Sequence, residues 1–438
     1  MTQHDQHSLI GKRSVALVLG GGRGSRLFPL TMSRCKPAVS IGGKYRLVDI
    51  PISNCVNSGV NRIYVLTQFM SAGLNRHITR TYRFDSFGER FVEILANEQT
   101  PTNYHYAQGT ADAVRHCVRY LEAMEADLVF ILSGDQLCRI NLNEMFAAHC
   151  ASQADVTLAC IGIPQDSVSR CGVVRAGPDG RITDFAEKPA AREVVEKFRR
   201  PGGGPAPFSG SMGVYLFDKK VLLGLLAEYP QEHDFGKGIF PKTIGTHRIQ
   251  RYAYEGYWED IGTIKSYFDA SMGLLDERPA FSFYDFEMPV YTHHRNLPAP
   301  KVFDSGIDAS LICDGSVLRG AKVRRSIVGL RTYIRPGTEV NQAIIMGNDY
   351  YPDGFFSLPA ERQENSGFGW KAGVTVERAI IDKNVVIGAN SVVRGSVDTN
   401  ITVQNEETAK FHIINGIVVI PRGTVLPDNT VIDAETFK

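Results

Sequence analysis

The sequence predicts an α/β protein in two parts. An open, mostly parallel, Rossmann-like sheet with helices on both faces comes first, and a parallel β-helix follows it. Three observations carry this expectation. Through the first two-thirds of the 438 residues, short apolar runs bounded by polar residues alternate with helical patterning. The first of those runs, Val15 to Leu19, leads straight into the glycine-rich stretch GGGRGSR. From Leu311 onward the period changes, and apolar residues recur every six positions.

Taken in order, Val15 to Leu19 is long enough for one buried strand of a parallel sheet. The glycines after it let the backbone turn sharply and present its N–H groups to a ligand. Oriented amides of this kind form a nest for anions, and Arg23 and Arg26 add positive charge beside them. Lys36, next to Pro37, can return to the same pocket, so the stretch reads as a phosphate cradle. A dinucleotide fingerprint starting at Gly22 would need a glycine where Leu27 stands, and no Gly-Lys-Ser/Thr of a Walker loop is present.

Further strands are expected at Ile63 to Gln68, Leu128 to Leu132 and Val156 to Ile161. A helix capped by Thr110 should carry Val114, Cys117, Val118 and Leu121 as one apolar stripe. In such sheets ligands bind beyond the carboxyl ends of the strands, and Asp135 stands there, after DLVFILSG. The glycine- and proline-rich stretch Arg199 to Pro207 reads as a loop inside this part. A boundary is expected near Phe281 to Lys301, giving a division into 1–285, a linker at 286–302, and 303–438.

Beyond it, four series keep the six-residue period. They are Leu311, Val317, Val323; Ile334, Val340, Met346; Val374, Ile380, Val386, Val392; and Ile413, Val419, Val425, Val431. That period does not suit one helix face and does suit the stacked coils of a hexapeptide β-helix. The stretch from Gly347 to Ala372 breaks it and should be a loop thrown out of one coil.

Composition narrows the class. At 43% hydrophobic and 22% charged the chain is not disordered, and a net charge of +1 gives no reason to expect nucleic acid or an anionic membrane. Eight scattered cysteines without a CxxC pair fit a reduced, intracellular protein and no zinc site. No run of roughly 18 apolar residues suggests a membrane span, and MTQHDQHSLIGK lacks signal or transit character. A cytoplasmic location is the expectation.

The full string GGxGxRLxPLT…KPAV…GGK is far narrower than its glycines, and it resembles the signature of the sugar-1-phosphate nucleotidyltransferases. YRLVDIPISNCVNSGV, GTADAVR, LSGDQL, AEKP, SMGVYLF, HDFGKGIFP, YWEDIGTI, FYD and HRNLP follow in the order of the glucose-1-phosphate adenylyltransferase branch. The resemblance runs nearly end to end and implies a left-handed sense for the β-helix. It also implies transfer of AMP from ATP to glucose 1-phosphate, with Mg²⁺ as cofactor, a homotetramer, and control by small anionic metabolites.

Carried over motif by motif, the resemblance gives Arg26, Lys36 and Asp135 catalytic roles, and Asp135 with Asp260 the metal. Gly21, Gly22 and Gly24 would hold phosphates, with Gln68, Gln108 and Gly109 around the base. Gly172, Glu187, Lys188, Ser211 and Asp234 would bind the sugar phosphate, a structural turn being an equal alternative for Asp234. Ala107 departs from the pattern, standing where many bacterial members have tyrosine, with Tyr106 one residue off. Arg34, Arg46, Lys383 and Arg422 are the effector candidates. Ser33 stands where an activator-binding lysine occurs in well-known bacterial forms, and IIDKN is closer to the cyanobacterial and plant branch.

Overall fold

The computed structural model describes residues 9–85, 88–98, 105–200, 202, 204–364, 366–397 and 410–437. Residues 201 and 203 of the loop expected at Arg199 to Pro207, and residues 1–8, lie outside that set. Contacts divide the chain into two compact units. One comprises Met1–Gly22, Val48–Trp258 and Tyr284–Tyr291; the other comprises Arg23–Leu47, Glu259–Phe283 and Thr292–Lys438.

The first unit is built on a nine-stranded sheet. In chain order its strands are β1 (Ser14–Leu19), β2 (Arg62–Thr67), β3 (Phe91–Ala96), β4 (Leu128–Ser133), β5 (Val156–Ile163), β6 (Gly172–Ala176), β7 (Ile182–Glu187), β8 (Phe208–Asp218) and β9 (Ile249–Ala253). β1 lies between β2 and β4, parallel to both, and β3 continues the parallel set beyond β2. β1 is nearly all apolar and buried on both faces, as a central parallel strand must be. β8 runs antiparallel to β4, β5 and β6, and β9 returns parallel to β5. The sheet is therefore mostly parallel, with β8 and β7 as the reversed strands.

One core cluster joins Val15, Leu17, Val129 and Ile131 of the sheet to Val114, Leu121, Phe235 and Phe240. Each such side chain contributes about 1.5–3 kcal/mol by leaving water. The helix expected from Thr110 is interrupted. It forms Thr110–Arg115 and Val118–Ala123, and its cap position is Gly109. Thr110 does not cap it because its hydroxyl donates to Asp234 Oδ2 (3.1 Å). The apolar stripe survives the break, with Val114, Cys117 and Leu121 buried.

In the second unit the six-residue period appears as parallel coils. Val323 stacks on Val340, Val376, Val393 and Ile432, and Val328 stacks on Ile345, Ile381 and Ile420. The inward phase differs from the expected series in the later coils. Ile387, Val393, Leu426 and Ile432 point in, whereas Val386 and Val392 are half-buried and Val425 and Val431 are 60% and 67% exposed. Adjacent β-branched or aliphatic pairs make both phases equally apolar in the sequence, and a one-residue slip exchanges the faces. The break at 347–372 is a loop as expected. Its Phe355 and Phe368 form a small cluster with Val317 and Tyr333, and Trp370 rejoins the coil through the Tyr333 carbonyl (3.0 Å). Among the described residues no helix is long and apolar enough to cross a membrane.

Candidate active site

Within the first unit, β1 ends where the Gly20 N–H donates to the Leu66 carbonyl (2.7 Å). Gly21 then passes Gln68, and Gly22 is exposed. The Gln68 amide is engaged on both sides. Its Nε2 donates to the Ala107 carbonyl (3.3 Å), and its Oε1 accepts from the Ala107 N–H (3.0 Å) and from Asn97 Nδ2 (2.7 Å). In this arrangement Gln68 fixes the segment at Ala107, and Asn97, which no motif marks, fixes Gln68. Gln108 is exposed; its side chain donates to the Tyr106 carbonyl (2.9 Å) and its N–H to Asp112 Oδ2 (2.9 Å). Gly109 abuts the His233 carbonyl, so GTADAVR and HDFGK are packed together.

Glu187 ends β7 opposite Gly172 of β6. A Cβ on Gly172 would come within 2.8 Å of Glu187 Oε2, and one on Gly236 within 2.5 Å. The carboxylate therefore sits in a slot with glycine walls. Gly172 was carried over from the family resemblance; Gly236 was not singled out, because its approach to Glu187 exists only in the folded chain. Lys188 follows in the left-handed region, φ 48°, and its ammonium lies 3.0 Å from Glu187 Oε1. Ser211 is buried on β8, and its hydroxyl accepts from the Gly213 N–H (3.5 Å). Burial pushes the Tyr215 phenol up, and the Glu187 charge adds to the shift. Both oxygens of Asp234 are engaged: Oδ1 accepts from the N–H groups of Gly236 (3.0 Å) and Lys237 (3.1 Å), and Oδ2 from Thr110. Asp135, half-buried beyond β4, accepts from the Ser133 hydroxyl.

Within the second unit, Gly24 turns the chain at φ 63°, and a Cβ there would stand 2.9 Å from Cβ of Lys36. Lys36 begins the short turn Lys36–Ala38, is nearly buried, and holds its Nζ 3.3 Å from Asp260 Oδ1. A Cβ on Gly262 would meet Asp260 Oδ2 at 2.9 Å and Arg26 Nη2 at 3.4 Å. Arg26 and Lys36 of the glycine-rich stretch and Asp260 of a distant motif are thus brought together around two glycines. Among the described residues no three His, Cys, Asp or Glu side chains converge to hold a metal. Asp135 lies in the turn after β4 and Asp260 ends the short strand Trp258–Asp260; each presents hard carboxylate oxygens of the kind that Mg²⁺ takes, completed by phosphate oxygens and water.

Residues 15–277 match the family model for nucleotidyl transferase, and residues 295–431 match that for the GLGC left-handed parallel beta-helix domain. The chain belongs to the nucleotidyl transferase family. With both matches in one chain, it is a sugar-1-phosphate nucleotidyltransferase of the glucose-1-phosphate adenylyltransferase type.

This nucleotidyl transferase also gathers its four remaining basic candidates within the second unit. Arg34 is buried and pairs with buried Asp382 (2.9 Å); its Nη2 has no hydrogen-bond partner among the described residues. Lys383 Nζ lies 3.1 Å from Asp349 Oδ1, and Arg422 Nη2 lies 2.5 Å from Asp349 Oδ2. Arg46 donates to the Ala38 carbonyl. Burial foremost, with the charges of Arg46 and Arg34, lowers the Lys383 pKa to about 8 against the attraction of Asp349. Burial raises the Asp349 pKa, but Lys383 and Arg422 outweigh it and hold the carboxyl well below its usual range. Two carboxylates, Asp382 and Asp349, thus pair with three of these cations. Neither carboxylate was singled out from the sequence.

Proposed function

We propose that the chain transfers AMP from ATP to α-D-glucose 1-phosphate, releasing diphosphate and forming ADP-glucose for a glycogen- or starch-type glucan. The observation that carries this reading is the meeting of Arg26, Lys36 and Asp260 around Gly24 and Gly262. Cations beside a carboxylate at a glycine turn are what a triphosphate and a hard cation need in one place. Both substrates are anionic, so the protein's task is to align a phosphate oxygen with the α-phosphorus and to neutralise charge as diphosphate leaves. A phosphate monoester is already nucleophilic, and no covalent intermediate is needed.

In this reading the backbones of Gly21, Gly22 and Gly24 receive phosphates, and Arg26 and Lys36 neutralise them. Gln68, Gln108 and Gly109 border the base. Glu187 accepts from glucose hydroxyls in its glycine-walled slot, and Lys188 pairs with the sugar phosphate beside Gly172 and Ser211; Asp234 orders the turn that supplies Gly236. Asp135 and Asp260 are the carboxylates for Mg²⁺, which when bound would neutralise the phosphate oxygens and the departing diphosphate.

We assign catalysis to residues 1–285, joined by 286–302 to an assembly and regulatory part at 303–438. The effector site is assigned to Arg34, Arg46, Lys383 and Arg422, with an anionic sugar-phosphate-like metabolite as its ligand. A cytoplasmic homotetramer completes the reading. The test is diphosphate release by the purified chain with Mg²⁺, across four nucleoside triphosphates and several sugar phosphates. ATP with glucose 1-phosphate should be the preferred pair; preference for another base or sugar reassigns the substrate, and no release with any pair overturns the reading.

A further inference from the structure

We propose that Gln136 is a positioning residue for the transfer, tying the turn that carries Asp135 to the bulge that carries Ser211. It opens the short strand Gln136–Cys138 immediately after Asp135 and is 7% exposed. Its Nε2 donates to the carbonyl of Met212, whose side chain is fully buried. That carbonyl belongs to an irregularity in β8. Ser211 pairs with Cys160 and Tyr215 with Leu158, so β8 takes four steps where β5 takes two. A bulge re-aims side chains beside it, and it leaves backbone groups without ladder partners. Gln136 satisfies one of these, and Gly213 makes the turn at φ 69°, where a Cβ would stand 3.0 Å from Gln136 Nε2.

The other side of the strap is anchored too. Asn54 of the helix Asp49–Asn57 donates to the Cys138 carbonyl (3.1 Å). Ile50, Leu132, Ile140 and Val214 lie around Gln136, so its amide donates in a largely apolar setting. Removing the donor would leave a buried carbonyl unpaired, and the bulge would relax to recover a partner. Ser211 sits one residue before that carbonyl and Asp135 one residue before the donor. Beyond the last β4–β8 ladder pair, Val214 with Leu132, this bond ties the proposed metal carboxylate to the proposed sugar-phosphate contact. The inference rests on the roles proposed above for Asp135 and Ser211.

The test uses the full chain with ATP, glucose 1-phosphate and Mg²⁺. Gln136→Met keeps the volume and removes the donor, and Gln136→His restores an N–H. The Met variant should raise the KM for glucose 1-phosphate about tenfold and lower kcat, with the KM for ATP changed less than about twofold. The His variant should recover most of the loss. If the Met variant does not fold, Gln136→Asn, whose amide is drawn back by about 1.5 Å, must show the same split. Unchanged kinetics, equal rises in both KM values, or a His variant as impaired as the Met variant would overturn the inference. A wild-type chain inactive with these substrates would instead overturn the functional reading, so the two failures are distinguishable.

Discussion

Lys188 holds a backbone conformation that costs a side-chain-bearing residue about 1–2 kcal/mol. Its φ of 48° follows directly on Glu187, and its N–H donates to the Cys171 carbonyl (3.2 Å). Strain of this kind persists where the surrounding structure over-determines it, often at a functional position. Here it turns an exposed ammonium back beside the Glu187 carboxylate. Glycine would relieve the strain and lose the charge. Lys188→Gly is therefore expected to gain up to about 1 kcal/mol in urea unfolding while its KM for glucose 1-phosphate rises and its KM for ATP stays put. A variant no more stable than the parent would show that this conformation carries no strain, and one in which only the ATP constant moves would remove Lys188 from the sugar-phosphate site. The residue types of this site were legible in AEKP and SMG. What was not legible is each side chain's local partner: Gly236 against Glu187, Asn97 and Ala107 around Gln68, and the two backbone N–H groups and Thr110 hydroxyl that Asp234 accepts.

At the scale of elements, strand positions in the sheet were readable because buried parallel strands are continuous apolar runs, as β1 and β4 are. The β-helix was readable as a period but not as a phase. In Val392-Val393, Thr424-Val425-Leu426 and Val431-Ile432 either of two neighbours can face inward, and only stacking on the adjacent coil decides. Leu426 and Val425 give the sharpest comparison, at 2% and 60% exposure. Leu426→Ala should cost about 2–5 kcal/mol through lost burial and a residual cavity, and Val425→Ala about 0.5 kcal/mol or less. Thermal or denaturant unfolding followed by a probe within residues 303–438 measures both. Equal costs would mean that the inward phase described here is wrong. The helix begun at Thr110 makes the same point, since its capping residue was legible as a type but had a tertiary partner, Asp234, that no local pattern announces.

At the scale of the whole molecule, chain order and packing disagree. Segments 23–47 and 259–283 precede the β-helix in sequence yet form one compact unit with it. The Tyr267 hydroxyl donates to the Ser40 carbonyl (2.7 Å), the Arg378 guanidinium lies 5.3 Å from the Phe268 ring centroid, and Arg34 pairs with Asp382. No periodicity could foretell this, because each contact spans more than a hundred residues. Its consequence is that Arg34, buried against the coil that carries Lys383, stands two residues before Lys36, which pairs with Asp260. A charge change in the cation cluster thus has a packed route to the catalytic candidates, and measured coupling is what would establish it. The cluster also carries its own pH dependence. Burial holds the Lys383 pKa at about 8, below its ordinary 10.5, with Asp349 opposing the shift and Arg46 and Arg34 adding to it. Between those values the unfolded chain keeps a proton that the folded chain has released, so this residue's contribution to stability rises with pH across that window. Anion binding runs the other way, because the ammonium is present below about 8 and lost above it. Sulfate, whose charge is constant over this range, should bind about tenfold more weakly near pH 9 than near pH 7 by calorimetry. Asp349→Asn removes the carboxylate that occupies both Lys383 and Arg422, so sulfate should bind this variant more tightly near pH 7, and its loss of affinity should begin at lower pH. Sulfate affinity in the wild type that is flat from pH 7 to pH 9, or unchanged in Asp349→Asn, would show that these cations serve the fold and do not receive a ligand.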